Sequence, residues 1–214
     1  MKKASIIMSI AAALLFTGVC NATTNPDTFV TAQNAIDILT EGNLEYVSSS
    51  INSADISVEK RKYTSQNGQS PYAVIITCSD SRVPAEHIFN AGIGDLFVIR
   101  TAGNVIGDYE LGSIEYGVEH LNTKLIVVLG HTQCGAVEAA LSGGAHGYIK
   151  TITDEISSCL TENYQPRQGE FLNVQNSIEK IRTSEIIKEL ETSGNIVIKG
   201  AIYDIASGRV EFLD

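Results

Sequence analysis

Apolar residues fall into two patterns along the chain, and their alternation predicts the fold. Unbroken apolar, β-branched runs occur at 73–77 (A-V-I-I-T), 96–99 (L-F-V-I) and 125–130 (L-I-V-V-L-G), with a split run at 196–198 and 201–203. Runs this short and this apolar suit strands covered on both faces, as in a parallel sheet. Between them, apolar positions recur at helical intervals. Val30, Ala35, Ile36, Leu39, Leu44 and Val47 mark an N-terminal helical arm, which Gly42-Asn43 is expected to interrupt. Further helices are predicted around 58–63, 84–89, 111–121, 136–141 and 151–160. Another is predicted over 172–190, with Val174, Ile178, Ile181, Ile186, Ile187 and Leu190 on one face. Ala206-Ser207-Gly208 reads as a hairpin turn that returns 210–213 antiparallel at an edge. Strands alternating with helices imply an α/β fold. The expected architecture is a mostly parallel central sheet of four strands plus an antiparallel edge strand, flanked by helices.

Polar residues of a particular kind follow two of these runs. Cys78, Asp80 and Arg82 stand at alternate positions directly after the first. In locally extended backbone, side chains at i and i+2 point the same way. The run at 125–130 ends in His131-Thr132-Gln133-Cys134-Gly135. Open α/β sheets place their sites at the carboxyl ends of strands. Two thiolates and an imidazole brought together there form a Cys₂His set, which suits catalytic zinc with an open fourth position. Taken singly, Cys78 and Cys134 could be inert buried cysteines or a disulfide, and His131 a hydrogen-bonded core histidine. Their shared placement favours metal. His87, His120 and His146 have no such company, and Cys159 reads as a bystander. Gly92-x-Gly94 lacks the third glycine of a dinucleotide fingerprint.

Length and charge narrow the function further. With 214 residues and 43% hydrophobic content, the chain has room for one ordinary domain with a sizeable core. A formal charge of −10 gives no electrostatic footprint for nucleic acid or anionic lipid. Lys2-Lys3 followed by an apolar stretch over 6–19 reads as a secretory signal, too short for a comfortable membrane span. Small residues before Thr23 predict cleavage there, leaving 1–22 as signal and 23–214 as one domain in the periplasm or outside the cell. The competing reading, a lipidated Cys20, is opposed by bulky Val19 directly before it. Cleavage removes Cys20 and leaves three cysteines, an odd number that fits a disulfide framework poorly.

With C-S-D-S-R at 78–82 and G-H-x-x-C-G at 130–135, the chain resembles the β-class carbonic anhydrases over roughly residues 40–214. The resemblance implies zinc-dependent interconversion of carbon dioxide and bicarbonate, with Cys78, His131 and Cys134 holding one Zn2+ per subunit. Asp80 paired with Arg82 would leave the fourth zinc position open, and unpaired it could close that position. Gln69 and Gly135 match substrate-contacting positions, and Phe97, Ala102 and Tyr116 match the apolar wall for carbon dioxide. R-T-A-G-N at 100–104 departs from the family's usual R-N-x-A-N, which bears on pocket size. A homodimer or homotetramer with pockets at subunit interfaces is also implied. Two other readings stay open: a same-fold hydrolase of carbon disulfide or a similar molecule, and a non-catalytic zinc or redox module.

Overall fold

A computed structural model describes residues 30–49, 51–160 and 167–213. The expected signal at 1–22 and the polar leader after it lie outside the described residues. Five strands form one sheet: β1 (Ala73–Cys78), β2 (Leu96–Thr101), β3 (Leu125–His131), β4 (Val197–Tyr203) and β5 (Val210–Phe212). Their order is β2-β1-β3-β4-β5, with every pair parallel except β4 and β5. Every residue of the central strands β1 and β3 is buried, as the unbroken apolar runs predict.

Alternate strand residues serve two cores. Ala73, Ile75, Leu125, Val127 and Leu129 face one side, with Ala35 and Leu39 of α1 (Ala32–Ser48) and Ile88 of α3 (Ala85–Ile88). Val74, Ile76, Ile126 and Val128 face the other side. There they meet Ile114 of α4 (Asp108–Glu119), Val174 and Ile181 of α7 (Gln168–Ile181), and Ile187 of α8 (Glu185–Thr192). The remaining helices are α2 (Val58–Asn67), α5 (Gly135–Ser142) and α6 (Gly147–Ser157). Among the described residues, no helix is long and apolar enough to cross a membrane.

Two helix boundaries differ from expectation. Gly42-Asn43 does not interrupt the arm, because α1 continues through both residues. A Cβ at Gly42 would lie 2.0 Å from the Phe89 carbonyl oxygen, so only glycine allows the helix this close to α3. Buried Asn43 then ties α1 to distant backbone. Its Nδ2 donates to the carbonyls of Ile88 (3.1 Å) and Gly208 (2.9 Å), and its Oδ1 accepts from the Val210 N–H (2.9 Å). Conversely, the helix expected over 172–190 is two. Ser184 opens α8 as an N-cap, its Oγ accepting from the Ile187 N–H at 3.2 Å and donating to Glu115 Oε1 at 2.6 Å.

Candidate metal centre

Cys78 ends β1 and His131 ends β3, and these neighbouring parallel strands pair Thr77 with Leu129. Both side chains therefore emerge at the same carboxyl edge of the sheet. Gln133, in the left-handed region (φ 57°), turns the chain so that Cys134 precedes the first residue of α5. All three are buried, and their ligand atoms lie within 4.8 Å of one another. His131 Nδ1 is 3.0 Å from the Thr132 carbonyl, which can only accept, so Nδ1 carries the proton. Its Nε2 is then a lone-pair donor, buried with no hydrogen-bond partner. Buried polar atoms are almost always satisfied. An unpaired imidazole nitrogen facing two thiols is what a metal ligand requires.

Charge is distributed unevenly between the thiols. A hydrogen bond from the Cys134 thiol, with smaller help from the backbone N–H groups of Asp80 and Gly103, outweighs burial and pulls Cys78 down to about 4. Cys134 is pushed up, first by its bond to Cys78 and then by burial. Burial pulls His131 down, but the negative Cys78 sulfur and the Thr132 carbonyl outweigh it and leave the imidazole raised. Two backbone donors point at the Cys78 sulfur, Gly103 N–H at 3.2 Å and Asp80 N–H at 3.4 Å.

Asp80 and Arg82 complete this edge. Arg82 Nε donates to Asp80 Oδ1 at 2.9 Å and its Nη2 to Oδ2 at 2.6 Å, and Nη2 also reaches the Gln133 carbonyl at 3.2 Å. These bonds hold the Asp80 carboxyl down to about 2. Asp80 Oδ2 lies 4.0 Å from His131 Nε2, so the carboxylate borders the space enclosed by the triad. Arg100 carries no local mark of function beyond its place in R-T-A-G-N at 100–104. It sits on β2 opposite Thr77 and donates to the carbonyls of Cys78 (3.1 Å) and Asp80 (2.7 Å), pinning the C-S-D segment.

The remaining expected pocket residues divide by position along the sheet. Gly135 opens α5 beside Cys134, with no atom within 4 Å of where a Cβ would stand. Ala102 begins the one-turn segment Ala102–Asn104, whose middle residue touches Cys78. Phe97 is near the start of β2, opposite Val74, with its ring 6.1 Å from that of Tyr116 on α4. Gln69 lies just before β1, at the end away from Cys78. Six strand residues separate those ends by roughly 16 Å. Gln69 and Tyr116 instead share a shallow depression with Thr64, Ile93, Gly94 and Leu121. The cavity that adjoins the triad, about 630 Å³, is lined by Cys134, Glu138, Arg167, Glu170 and Asp204 among others, and by neither Gln69 nor Tyr116. Within one chain, these two residues do not meet the metal centre.

Comparison with known proteins agrees with this geometry. Residues 73–210 match the carbonic anhydrase family. The chain is 39% identical over 187 residues to carbonic anhydrase 2 of Mycobacterium tuberculosis, covering 82% of this chain and 90% of that one. Among solved structures, it resembles a tetrameric β-carbonic anhydrase from Sordaria macrospora (TM-score 0.60, 29% identity, 72% of this chain and 91% of that one). It also resembles the Coccomyxa β-carbonic anhydrase crystallised with acetazolamide (TM-score 0.64, 28% identity, 72% and 78%). A fold, a sheet-edge Cys-His-Cys cluster and a sequence match thus converge: the chain belongs to the β-class carbonic anhydrase family.

Proposed function

We propose that this chain catalyses the zinc-dependent, reversible hydration of carbon dioxide to bicarbonate and a proton, with Cys78, His131 and Cys134 as the zinc ligands. The observation that carries this reading is the buried, partnerless His131 Nε2 beside two thiols, bordered by an ion-paired carboxylate. Zinc supplies Lewis acidity that brings the pKa of water from ~15.7 toward ~7. Two anionic thiolates in the ligand set moderate that acidity, so activity rises toward alkaline pH.

The chain's own groups do the rest. Asp80, ionised and held by Arg82, presents Oδ2 at the edge of the triad as a hydrogen-bond acceptor that orients the attacking water. Arg82 also holds that carboxylate back from the metal that Cys78, His131 and Cys134 would bind. Phe97, Ala102 and Tyr116 supply apolar wall, and the backbone at Gly135 is open to a substrate oxygen. Because Gln69, Phe97 and Tyr116 lie at the far end of the sheet from Cys78, they serve a metal centre of the partner subunit in a homodimer or homotetramer. The tetrameric Sordaria relatives support that assembly. The basic-apolar leader at 1–22 supports export to the periplasm or beyond. A zinc-storage module would have no need of the Asp80–Arg82 pair, which favours an enzyme.

The test is zinc analysis with stopped-flow carbon dioxide hydration on protein beginning at Thr23, in wild type and Cys134→Ser. One zinc per subunit and fast hydration are expected, with both lost in Cys134→Ser. Full activity after zinc removal, or a Cys78–Cys134 disulfide in the active protein, would refute the reading.

A further inference from the structure

The segment that touches Cys78 is held in place from outside the metal centre. Gly103 and Asn104 both occupy the left-handed region (φ 67° and 48°). Two side chains one turn apart on α7 clamp them. Asn173 Nδ2 donates to the Gly103 carbonyl at 2.7 Å. Ser177 Oγ donates to the Asn104 carbonyl at 2.9 Å and accepts from Asn104 Nδ2 at 3.2 Å. Both α7 residues are almost wholly buried, Asn173 at 1% and Ser177 at 2% exposed. Holding the Gly103 and Asn104 carbonyls together restrains this turn, and with it the direction of the Gly103 N–H. That N–H points at the Cys78 sulfur.

Asn173 is costly where it stands. Its Oδ1 is buried and has no hydrogen-bond partner. An apolar side chain of similar shape would remove that unpaired oxygen but leave the buried Gly103 carbonyl without its donor. Packing alone therefore does not account for an amide here. What the amide adds is the bond to Gly103.

We infer that Asn173 is a positioning residue for the metal centre, aiming the Gly103 N–H at Cys78 and so setting how strongly that sulfur donates to a bound metal. An N–H directed at a thiolate draws charge from it, and hydrogen bonds of this kind tune thiolate-bound metals. Ser177 assists by holding the next residue. The inference rests on Cys78 being a metal ligand, as proposed above.

Cobalt(II) in place of zinc gives a direct readout, because a thiolate ligand produces a sulfur-to-cobalt charge-transfer band. Asn173→Leu is expected to move that band to lower energy, since the sulfur keeps the charge the N–H had drawn off, and, with Cys78 no longer oriented from outside, to speed cobalt loss to a chelator by about tenfold. Ser177→Ala should move both the same way but less, and it carries the test if Asn173→Leu does not fold. Val174→Ala is the control. Val174 packs on Gly130 and Gly200 from the same helix, so its truncation should lower Tm and leave the band unmoved. A wild-type band and release rate in every folded variant at 173 and 177 would overturn the inference. Absence of any thiolate band in cobalt-loaded wild type would instead overturn the metal reading, and this inference with it.

Discussion

The Arg82 guanidinium meets the Asp80 carboxylate side-on, with Nε on Oδ1 at 2.9 Å and Nη2 on Oδ2 at 2.6 Å. Only a planar fork makes two parallel bonds of this kind. Arg82→Ala should therefore free Asp80 and lower carbon dioxide hydration by about 100-fold while metal is retained. Arg82→Lys should recover part of the loss, since one ammonium replaces one of the two bonds. Stopped-flow rates and metal analysis of both variants check this, and an undiminished rate in Arg82→Ala would sink it.

Acid should reveal the same pair. With its folded pKa held near 2 by Arg82, Asp80 lies below its unfolded value of ~3.9. The pair's stabilisation is then fully present above the unfolded pKa and is lost as pH falls through about 2. Asp80 is charged throughout the neutral and alkaline range, so its protonation does not shape activity there. A carboxyl NMR titration should place Asp80 well below the ~3.9 of a free aspartate, and a midpoint near that value would contradict the pairing.

Gln69 and Tyr116 stand at the opposite end of β1 from Cys78, which predicts complementation between defective subunits. Gln69→Ala and Cys134→Ser should each be impaired alone. Co-refolded in equal amounts as random dimers, they should regain about a quarter of wild-type activity, because the mixed dimer has one intact site of two. No recovery in verified mixed dimers would show that Gln69 does not act across the interface.

Gly103→Ala tests the left-handed segment beside Cys78. A Cβ there would lie 2.8 Å from Ile156 Cδ1 and 3.0 Å from Ala136 Cβ, at a φ of 67° that alanine disfavours. A loss of about 3 kcal/mol in unfolding free energy is expected from strain and overpacking together. Urea denaturation measures it, and a change below about 1 kcal/mol would mean the segment relaxes freely.

Export predicts a mature N-terminus at or near Thr23. Mass spectrometry of cell fractions should find it outside the cytoplasm. An intact Met1 in the cytosol, or lipid on Cys20, would refute it.

The sequence by itself determined the sheet and the gathering of Cys78, His131 and Cys134 at its edge. Unbroken runs such as 73–77 and 125–130 have no solvent-facing positions, so they must be covered on both sides, and Cys78 and His131 end them wherever they pack. What it left open depended on contacts between distant segments. Gly42 in the middle of a helix reads as a break by propensity, yet here it permits contact with Phe89, and Asn43 repays the arrangement through Gly208 and Val210. Ser184 looks like one more polar position on a long amphipathic helix until its hydroxyl caps α8 and meets Glu115. Gln69 and Tyr116 match pocket positions as residues, but only their place along β1 separates them from the metal centre of their own chain. Asn173, between Leu172 and Val174, carries no local mark of function, and only the fold brings it to the Gly103 carbonyl. Periodicity and propensity act over a few residues, whereas these outcomes turn on single contacts between segments far apart in the chain, which tertiary packing alone selects.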